Sequence, residues 1–103
     1  MAGRSRRVVW SERARDGLDD ALGYIAEDSP TAAGKVLDVA LRTASSLSDL
    51  SERGRIVPEL QQTDIREVFV FSYRMLYEVT DSEVRILAFL HGARDFAGWW
   101  RGV

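Results

Sequence analysis

The strongest constraint on the fold is the stretch of residues 69–95, FVFSYRMLYEVTDSEVRILAFLHGARD. Tyr, Val, Ile, Leu and Phe dominate its two arms, and the polar residues Asp81 and Ser82 stand between them. This pattern is typical of two antiparallel β-strands joined by a tight turn. If Asp81 and Ser82 form a two-residue loop, that loop fixes which residues face each other across the two strands.

This register predicts two faces of different character. The first face pairs Val79 with Val84, Tyr77 with Ile86, Met75 with Ala88, and Tyr73 with Leu90. The second face pairs Glu78 with Arg85, Leu76 with Leu87, and Arg74 with Phe89, with His91 diagonal to Arg74. The first face is apolar throughout and is the expected core face. The second has more large apolar side chains than a solvated face needs, and its Arg74 has no acidic partner within the hairpin. We therefore expect the second face to bind another molecule.

Ahead of the hairpin, residues 8–10, VVW, predict a short first strand. Ser11 is well suited to cap a helix that carries apolar residues at helical spacing to about Asp28. A second helix follows, with Ser29 as its N-cap and Pro30 at its first position, because proline is favoured there. This second helix should fray near residue 49 or 50.

Three glycines, Gly17, Gly23 and Gly34, lie inside the two predicted helices. Each costs about 1 kcal/mol relative to alanine in a helix interior. We expect close approach of the two antiparallel helices to account for one or two of them.

The predicted fold is a two-layer α+β domain in the order β-α-α-β-β-β. A short N-terminal strand precedes an antiparallel helix hairpin and a three-stranded antiparallel sheet. Between the helices and the sheet, residues 56–60 form an extended piece in which Pro58 suits an edge or a loop. The strand from Arg66 to Phe71 then turns near Ser72 into the hairpin. The single domain covers residues 8–96, with a basic flexible leader at residues 1–7 and a tail at residues 97–103.

Composition excludes several classes of function. The 103 residues contain no cysteine, which excludes disulfides, thiolate catalysis and cysteine-ligated zinc. No apolar stretch approaches the roughly 20 residues needed to span a bilayer, and the basic start MAGRSRR leads into no signal peptide, so a cytoplasmic protein is expected. The net charge is −2 and Lys35 is the only lysine, which argues against direct binding of nucleic acid. No metal or cofactor is expected.

Several segments resemble the ParE branch of the RelE/ParE toxin superfamily. The opening VVWSERARDGLDDALGYIAEDSPTAAGKV is similar to that branch, with its W-S-x-x-A start, its Y-I-A-x-D helix end and the S-P pair that follows. The later pieces VPEL, IRE, YRMLYEV and ILAFLHGARDF are similar to the strands of the family. The ordered set extends from Val8 to about Phe96.

The resemblance implies the toxin of a bacterial type II toxin–antitoxin module, a class associated with plasmid stabilisation. Its partner would be a ParD-like antitoxin, whose disordered C-terminal segment folds over the toxin. ParE-like members act on DNA gyrase, whereas RelE-like members cut mRNA without a metal. We expect a ParE-like toxin that binds gyrase and has no chemistry of its own. The alternatives are an endoribonuclease and a decayed toxin retained as an antitoxin-binding module.

An endoribonuclease of this fold needs a base, an acid and a group that stabilises the charged phosphorane. Glu59, Arg74 and His91 resemble the Glu/Arg/His set of one RNase branch, as base, anion stabiliser and acid respectively. The alternative for Glu59 is a solvated loop position. His91 could instead form a hydrogen bond with the backbone at a strand end, and Arg74 could close the sheet edge.

Partner binding is the role we expect for a larger set of residues. Large aromatic side chains concentrate binding energy, and this is why the two C-terminal tryptophans belong to the set, although one of them could instead fold back onto the helices. Arg94 could also form a local ion pair with Asp95 that holds the tail. The residues expected to bind a partner are Arg74, Leu76, Leu87, Phe89, His91, Arg94, Trp99 and Trp100.

Overall fold

A computed structural model describes residues 5–60, 62–94 and 96–101. The elements in chain order are β1 (Arg7–Trp10), α1 (Glu12–Asp28), α2 (Pro30–Ser46), β2 (Arg55–Ile56), β3 (Ile65–Val70), β4 (Tyr73–Val79), β5 (Glu83–His91) and α3 (Phe96–Arg101). The strands form one sheet in the order β1-β5-β4-β3-β2. β1 runs parallel to β5, and the other neighbours are antiparallel. The predicted α+β architecture is confirmed, and the three expected antiparallel strands form the middle of a mixed five-stranded sheet.

Local hydrogen bonds begin both long helices where the sequence predicts. The Ser11 hydroxyl oxygen accepts from the Ala14 backbone N–H at 3.0 Å, and the Ser29 hydroxyl oxygen accepts from the Ala32 N–H at 3.1 Å. Pro30 occupies the first position of α2. These bonds satisfy backbone donors that have no partner within the helix, and they fix the turn between α1 and α2.

Gly17 allows α1 to lie against the sheet. A Cβ atom at this position would overlap the carbonyl oxygen of Phe89 in β5. At Gly23 and Gly34 a Cβ atom would meet nothing within 4 Å. The prediction that helix–helix contact explains these glycines is therefore wrong, because the close approach joins a helix to a strand.

The hairpin of β4 and β5 follows the predicted register only near its turn. Val79 faces Val84, Glu78 faces Arg85 and Tyr77 faces Ile86, as predicted. Leu87 is then an extra residue in β5, so that Leu76 faces Ala88, Met75 faces Phe89, Arg74 faces Leu90 and Tyr73 faces His91. The predicted pairs of Leu76, Met75, Arg74 and Tyr73 are each wrong by one residue. A β-bulge shifts every later pair in this way, and a two-residue turn cannot reveal it.

The bulge exchanges the faces of β5 beyond Leu87. Phe89 lies on the helix side of the sheet, and Ala88 and Leu90 lie on the opposite side, which we call the far side. The helix-side core includes Ala14, Leu18, Ala40, Leu47, Val68, Met75, Tyr77, Val84, Ile86 and Phe89. The far-side cluster consists of Val57, Ile65, Leu76, Ala88, Leu90 and Phe96. The expected free face is thus a second, smaller core.

The turn between β3 and β4 consists of Phe71 and Ser72, since Val70 faces Tyr73. Phe71 has a φ of 54°, and it is the only residue other than glycine with a positive φ in the described part of the chain. A side chain in this left-handed region costs about 1–2 kcal/mol. The favoured two-residue hairpin loops need positive φ at their first residue, which explains the conformation but not the choice of phenylalanine.

Some described residues of the predicted leader and of the predicted tail belong to the folded structure. Within the predicted leader, Arg7 belongs to β1, and the Arg6 backbone N–H donates to the Ser48 carbonyl oxygen at 2.9 Å. The Arg6 Nε also donates to the Thr80 carbonyl oxygen at 2.7 Å. α3 begins at Phe96, the last residue of the predicted domain, and extends into the predicted tail. The adjacent tryptophans did not indicate this helix. None of the helices in the described residues has the length and apolar composition required to cross a bilayer.

Candidate functional site

Arg74 lies on the far side of β4 and is the centre of a buried ion network. Only 5% of its surface is exposed. Its Nη1 and Nη2 atoms donate to the two carboxylate oxygens of Glu59 at 3.1 and 2.9 Å. Its Nε donates to Glu67 Oε1 at 2.6 Å. The acidic partners that the hairpin lacks are thus supplied by the loop after β2 and by β3.

Glu67 is the residue of this network that the sequence analysis missed. Its side chain has no exposed surface, and its second oxygen accepts from Arg55 Nε at 2.6 Å. Glu67 stands between Ile65 and Phe69 on one face of β3. A single carboxylate at an otherwise apolar face of a strand is the signal that could have revealed it, because a buried carboxylate requires a cationic partner.

The electrostatics of the pair keep both partners charged. The hydrogen bond from Arg74 lowers the pKa of Glu59 below its ordinary value of 4.5, against the smaller opposing effect of burial. The hydrogen bond to Glu59 likewise raises the pKa of Arg74. A carboxylate stabilised in this way is a weak proton acceptor, and an arginine with two carboxylate partners has little remaining capacity for a phosphate.

Other residues of this chain cover the ion network around Arg74. The guanidinium of Arg74 stacks on the ring of Phe96 at 4.8 Å, and Phe96 stacks on Trp100 at 5.8 Å. Leu76 has no exposed surface and Leu87 is half-buried. The expectation of an open apolar face here is wrong, since α3 and the loop around Val57 cover it.

Phe89 is also unavailable on the expected face. It is 3% exposed and lies in the helix-side core, where it stacks on Tyr73 with ring centroids 5.1 Å apart. Its predicted position opposite Arg74 is wrong because of the bulge at Leu87.

His91 lies apart from Glu59 and Arg74. It faces Tyr73 across the ladder, while Arg74 faces Leu90, and successive residues of a strand point to opposite faces. The exposed His91 ring accepts a hydrogen bond at Nδ1 from the Ala93 N–H at 3.1 Å and meets the Tyr73 ring edge-on at 5.4 Å. The structure therefore brings Glu59 and Arg74 together as an ion pair and leaves His91 on the other side of the sheet.

The remaining predicted partner-binding residues lie near the C-terminus. Arg94 is exposed in the turn after β5. Its expected ion pair with Asp95 lies outside the described residues. Trp100 is half-buried beside Phe96, and the side chain of Trp99 lies outside the described part of the chain. Their role in binding remains a prediction.

An apolar groove lies along β1, at the edge of the sheet, and sequence analysis did not identify it. It has a volume of about 630 Å³. Its lining consists of Arg7, Val8, Val9, Trp10, Arg15, Leu18, Asp19 and Leu41. Leu41 and its neighbour Leu37, one helical turn away on α2, are 46% and 37% exposed. The groove thus combines apolar walls, two arginines and the outer edge of a strand.

No group of three or more histidine, aspartate or glutamate residues in residues 5–60, 62–94 and 96–101 is arranged to hold a metal ion.

Comparison with known proteins gives a consistent family assignment. Residues 8–96 match the family model described as the ParE toxin of the type II toxin–antitoxin system parDE. The chain is 36% identical over 89 residues to Toxin RelE2 from Caulobacter vibrioides. This alignment covers 85% of this chain and 97% of that protein.

Two solved structures share the fold. The chromosomal ParDE system from P. aeruginosa aligns with a TM-score of 0.70 at 17% identity, covering 86% of this chain and 98% of that one. The RelBE2 toxin–antitoxin complex from Mycobacterium tuberculosis aligns with a TM-score of 0.56 at 20% identity, covering 91% and 100%. From its family match over residues 8–96, this chain belongs to the ParE family of toxins of type II toxin–antitoxin systems.

Proposed function

We propose that this toxin acts by binding and inhibiting DNA gyrase, without a chemical step of its own, and that a cognate antitoxin neutralises it. Membership of the ParE family supports gyrase as the target, since the ParE-like branch of the superfamily acts on that enzyme.

The closed state of Arg74 is the observation that carries the proposal. Both carboxylates around it are engaged at 2.6–3.1 Å, and its exposed fraction is 5%. The RNase alternative needs Arg74 free for a phosphate, Glu59 free to accept a proton and His91 on the same side of the sheet. These residues fulfil none of the three conditions here, which favours a toxin that acts by binding.

The groove along β1 is the surface that best suits the antitoxin. An extended or helical segment could fill it, either by adding a strand to β1 or by laying an apolar face against Leu37 and Leu41. Arg15 favours an antitoxin segment that carries a carboxylate beside its apolar residues. Arg7 is already paired with Glu83 at 2.7 Å, and Asp19 in the same lining limits the positive charge. This position replaces the one expected on the far side of the sheet.

The test of the target uses purified toxin with gyrase and relaxed plasmid, and separately with mRNA in the presence and absence of ribosomes. We expect inhibited supercoiling, or trapped cleavage complexes, with intact RNA. RNA that is cut by the wild type but not by Glu59→Ala or His91→Ala would reverse the assignment in favour of the RNase.

The test of the antitoxin site compares Leu41→Glu with Leu50→Glu. Leu50 is a matched control, because it is 58% exposed and does not line the groove. Leu41→Glu should weaken binding of the antitoxin encoded beside the toxin gene at least about tenfold, as expected for loss of an interface hot spot. Equal binding by both variants would contradict this location. A wild type that binds the antitoxin but neither inhibits gyrase nor arrests growth would indicate a decayed toxin.

A further inference from the structure

Two exposed aromatic side chains lie at one corner of the sheet. Phe69 is 52% exposed on β3, and Phe71 is 57% exposed in the β3–β4 turn. With the neighbouring Arg55 they form what we call the aromatic corner. It lies at the edge of the sheet opposite β1, so about four strand spacings, or roughly 19 Å, separate its β2 edge from the groove.

The stability of the fold does not explain why phenylalanine occupies position 71. Its φ of 54° is unfavourable for any residue with a Cβ atom, and glycine or asparagine would adopt it more easily. Its ring is more than half exposed, so packing within the chain does not compensate for the backbone conformation. A bulky aromatic residue held in such a conformation at an exposed turn indicates a role in binding.

Arg55 gives the corner a positive charge. Its guanidinium lies 5.3 Å from the centre of the Phe69 ring. Its Nε donates to Glu67, whose carboxylate is fully buried, whereas the Arg55 side chain remains 56% exposed. A partner therefore meets two phenyl rings beside a cation, while the matching negative charge lies beneath the surface.

We propose that the aromatic corner is the surface through which this toxin binds its target protein. The occupant is a protein pocket with apolar walls that receives the rings of Phe69 and Phe71, and with a carboxylate that faces Arg55. A protein fits better than DNA, because the chain has a net charge of −2 and a single lysine. The corner projects at a turn, so its partner must supply the concave surface. This inference rests on the proposed function and names the surface that performs it.

The experiment uses the double variant Phe69→Thr with Phe71→Gly in the full chain. Threonine suits a strand, and glycine removes the unfavourable φ. We expect the toxin concentration for half-maximal inhibition of gyrase supercoiling to rise at least about tenfold. The thermal unfolding midpoint should stay within about 4 °C of the wild type, or rise. A purely structural role of the two rings would instead lower the midpoint and leave inhibition by the folded fraction unchanged.

Leu50→Ser is the matched control, because Leu50 is 58% exposed and lies outside both the corner and the groove. It should inhibit gyrase like the wild type. Inhibition by the double variant at the wild-type concentration would overturn the proposal. So would a wild-type dimer that the double variant dissociates, since the corner would then bind a second copy, or binding to DNA alone that the double variant abolishes.

Growth arrest on expression separates this inference from the choice of target. One outcome is a wild type that arrests growth without inhibiting gyrase and a double variant that no longer arrests growth. In that case the aromatic corner still binds the target protein, but the target is not gyrase. If the double variant arrests growth as the wild type does, the corner is wrong. A wild type that neither arrests growth nor inhibits gyrase overturns both.

Discussion

The two faces of the sheet are covered by different means. On the helix side, two helices of 17 residues each bury a continuous apolar core that includes Tyr77 and Ile86. On the far side, a loop around Val57 and the six-residue α3 cover a smaller cluster, and an ion network surrounds Arg74. The large face is stabilised by apolar burial, whereas the small face combines apolar burial with paired charges.

This difference between the two faces predicts which substitutions each face tolerates without loss of stability. Apolar contacts have no direction, and their contribution grows with the area removed from water. A buried ion pair contributes little net stability, but loss of one partner leaves a charge in a poor environment. The far side should therefore be sensitive to unbalanced charge changes and less sensitive to truncation of its apolar side chains.

Truncation of one buried side chain on each face of the sheet is the most direct test of the difference between the two faces. Ile86 and Leu76 both have no exposed surface. We expect Ile86→Ala to lower the free energy of unfolding by about 4 kcal/mol and Leu76→Ala by about 2–3 kcal/mol, because the loop and the short helix can relax into the far-side cavity. Urea unfolding measures both. An equal or larger loss for Leu76→Ala would show that the far side is packed as rigidly as the helix side.

A single charge removal tests the ion network. Glu67→Ala leaves Arg74 buried with Glu59 alone and removes the partner of Arg55. We expect a loss of about 3 kcal/mol in the free energy of unfolding. The double variant Glu67→Leu with Arg74→Met serves as the control, and it should unfold within about 1 kcal/mol of the wild type, because no buried charge is then left unpaired. If the double variant is as unstable as Glu67→Ala, the network itself stabilises the far side.

Alanine substitutions at two glycines of α1 test how closely this helix packs on the sheet. Gly17→Ala should cost about 2 kcal/mol, since the new methyl group would overlap the backbone of β5. Gly23→Ala should stabilise the protein by up to about 1 kcal/mol, because the position is open and alanine favours the helix. Thermal unfolding of the two variants measures the contrast. A gain in stability for Gly17→Ala would contradict the close packing of α1 on the sheet.

The smallest expected effect is a dependence of stability on pH that comes from Glu59. The hydrogen bond from Arg74 lowers its pKa in the folded state, so its contribution is complete above the ordinary value of 4.5 and is lost as the pH falls through the lower folded pKa. The Glu59 side chain is 41% exposed, which limits the effect to about 0–1 kcal/mol. Urea unfolding between about pH 6 and pH 3 should show a smaller decline for Glu59→Gln than for the wild type. Identical declines would exclude Glu59 as a source of the acid sensitivity.

Sequence reasoning was accurate where neighbouring residues decide the structure. Ser11 and Ser29 cap the helices as predicted, and the Asp81–Ser82 turn sets the first three pairs of the hairpin. It failed at Leu87, where one extra residue exchanged the faces of β5. It also failed for the far side, because residues outside the β4–β5 hairpin supply the partners of Arg74 and α3 supplies its cover.

The sequence by itself determined the order of β1, the two long helices and the three antiparallel strands, the starts of α1 and α2, and the family, because caps, turns and periodicity act over a few residues. Only the tertiary structure decided which face Phe89 occupies and that Glu67 and Glu59 engage Arg74. It also decided which aromatic side chains remain exposed at the corner. These outcomes depend on a bulge and on contacts between distant segments, and local sequence preferences do not encode the register or the packing that brings such segments together.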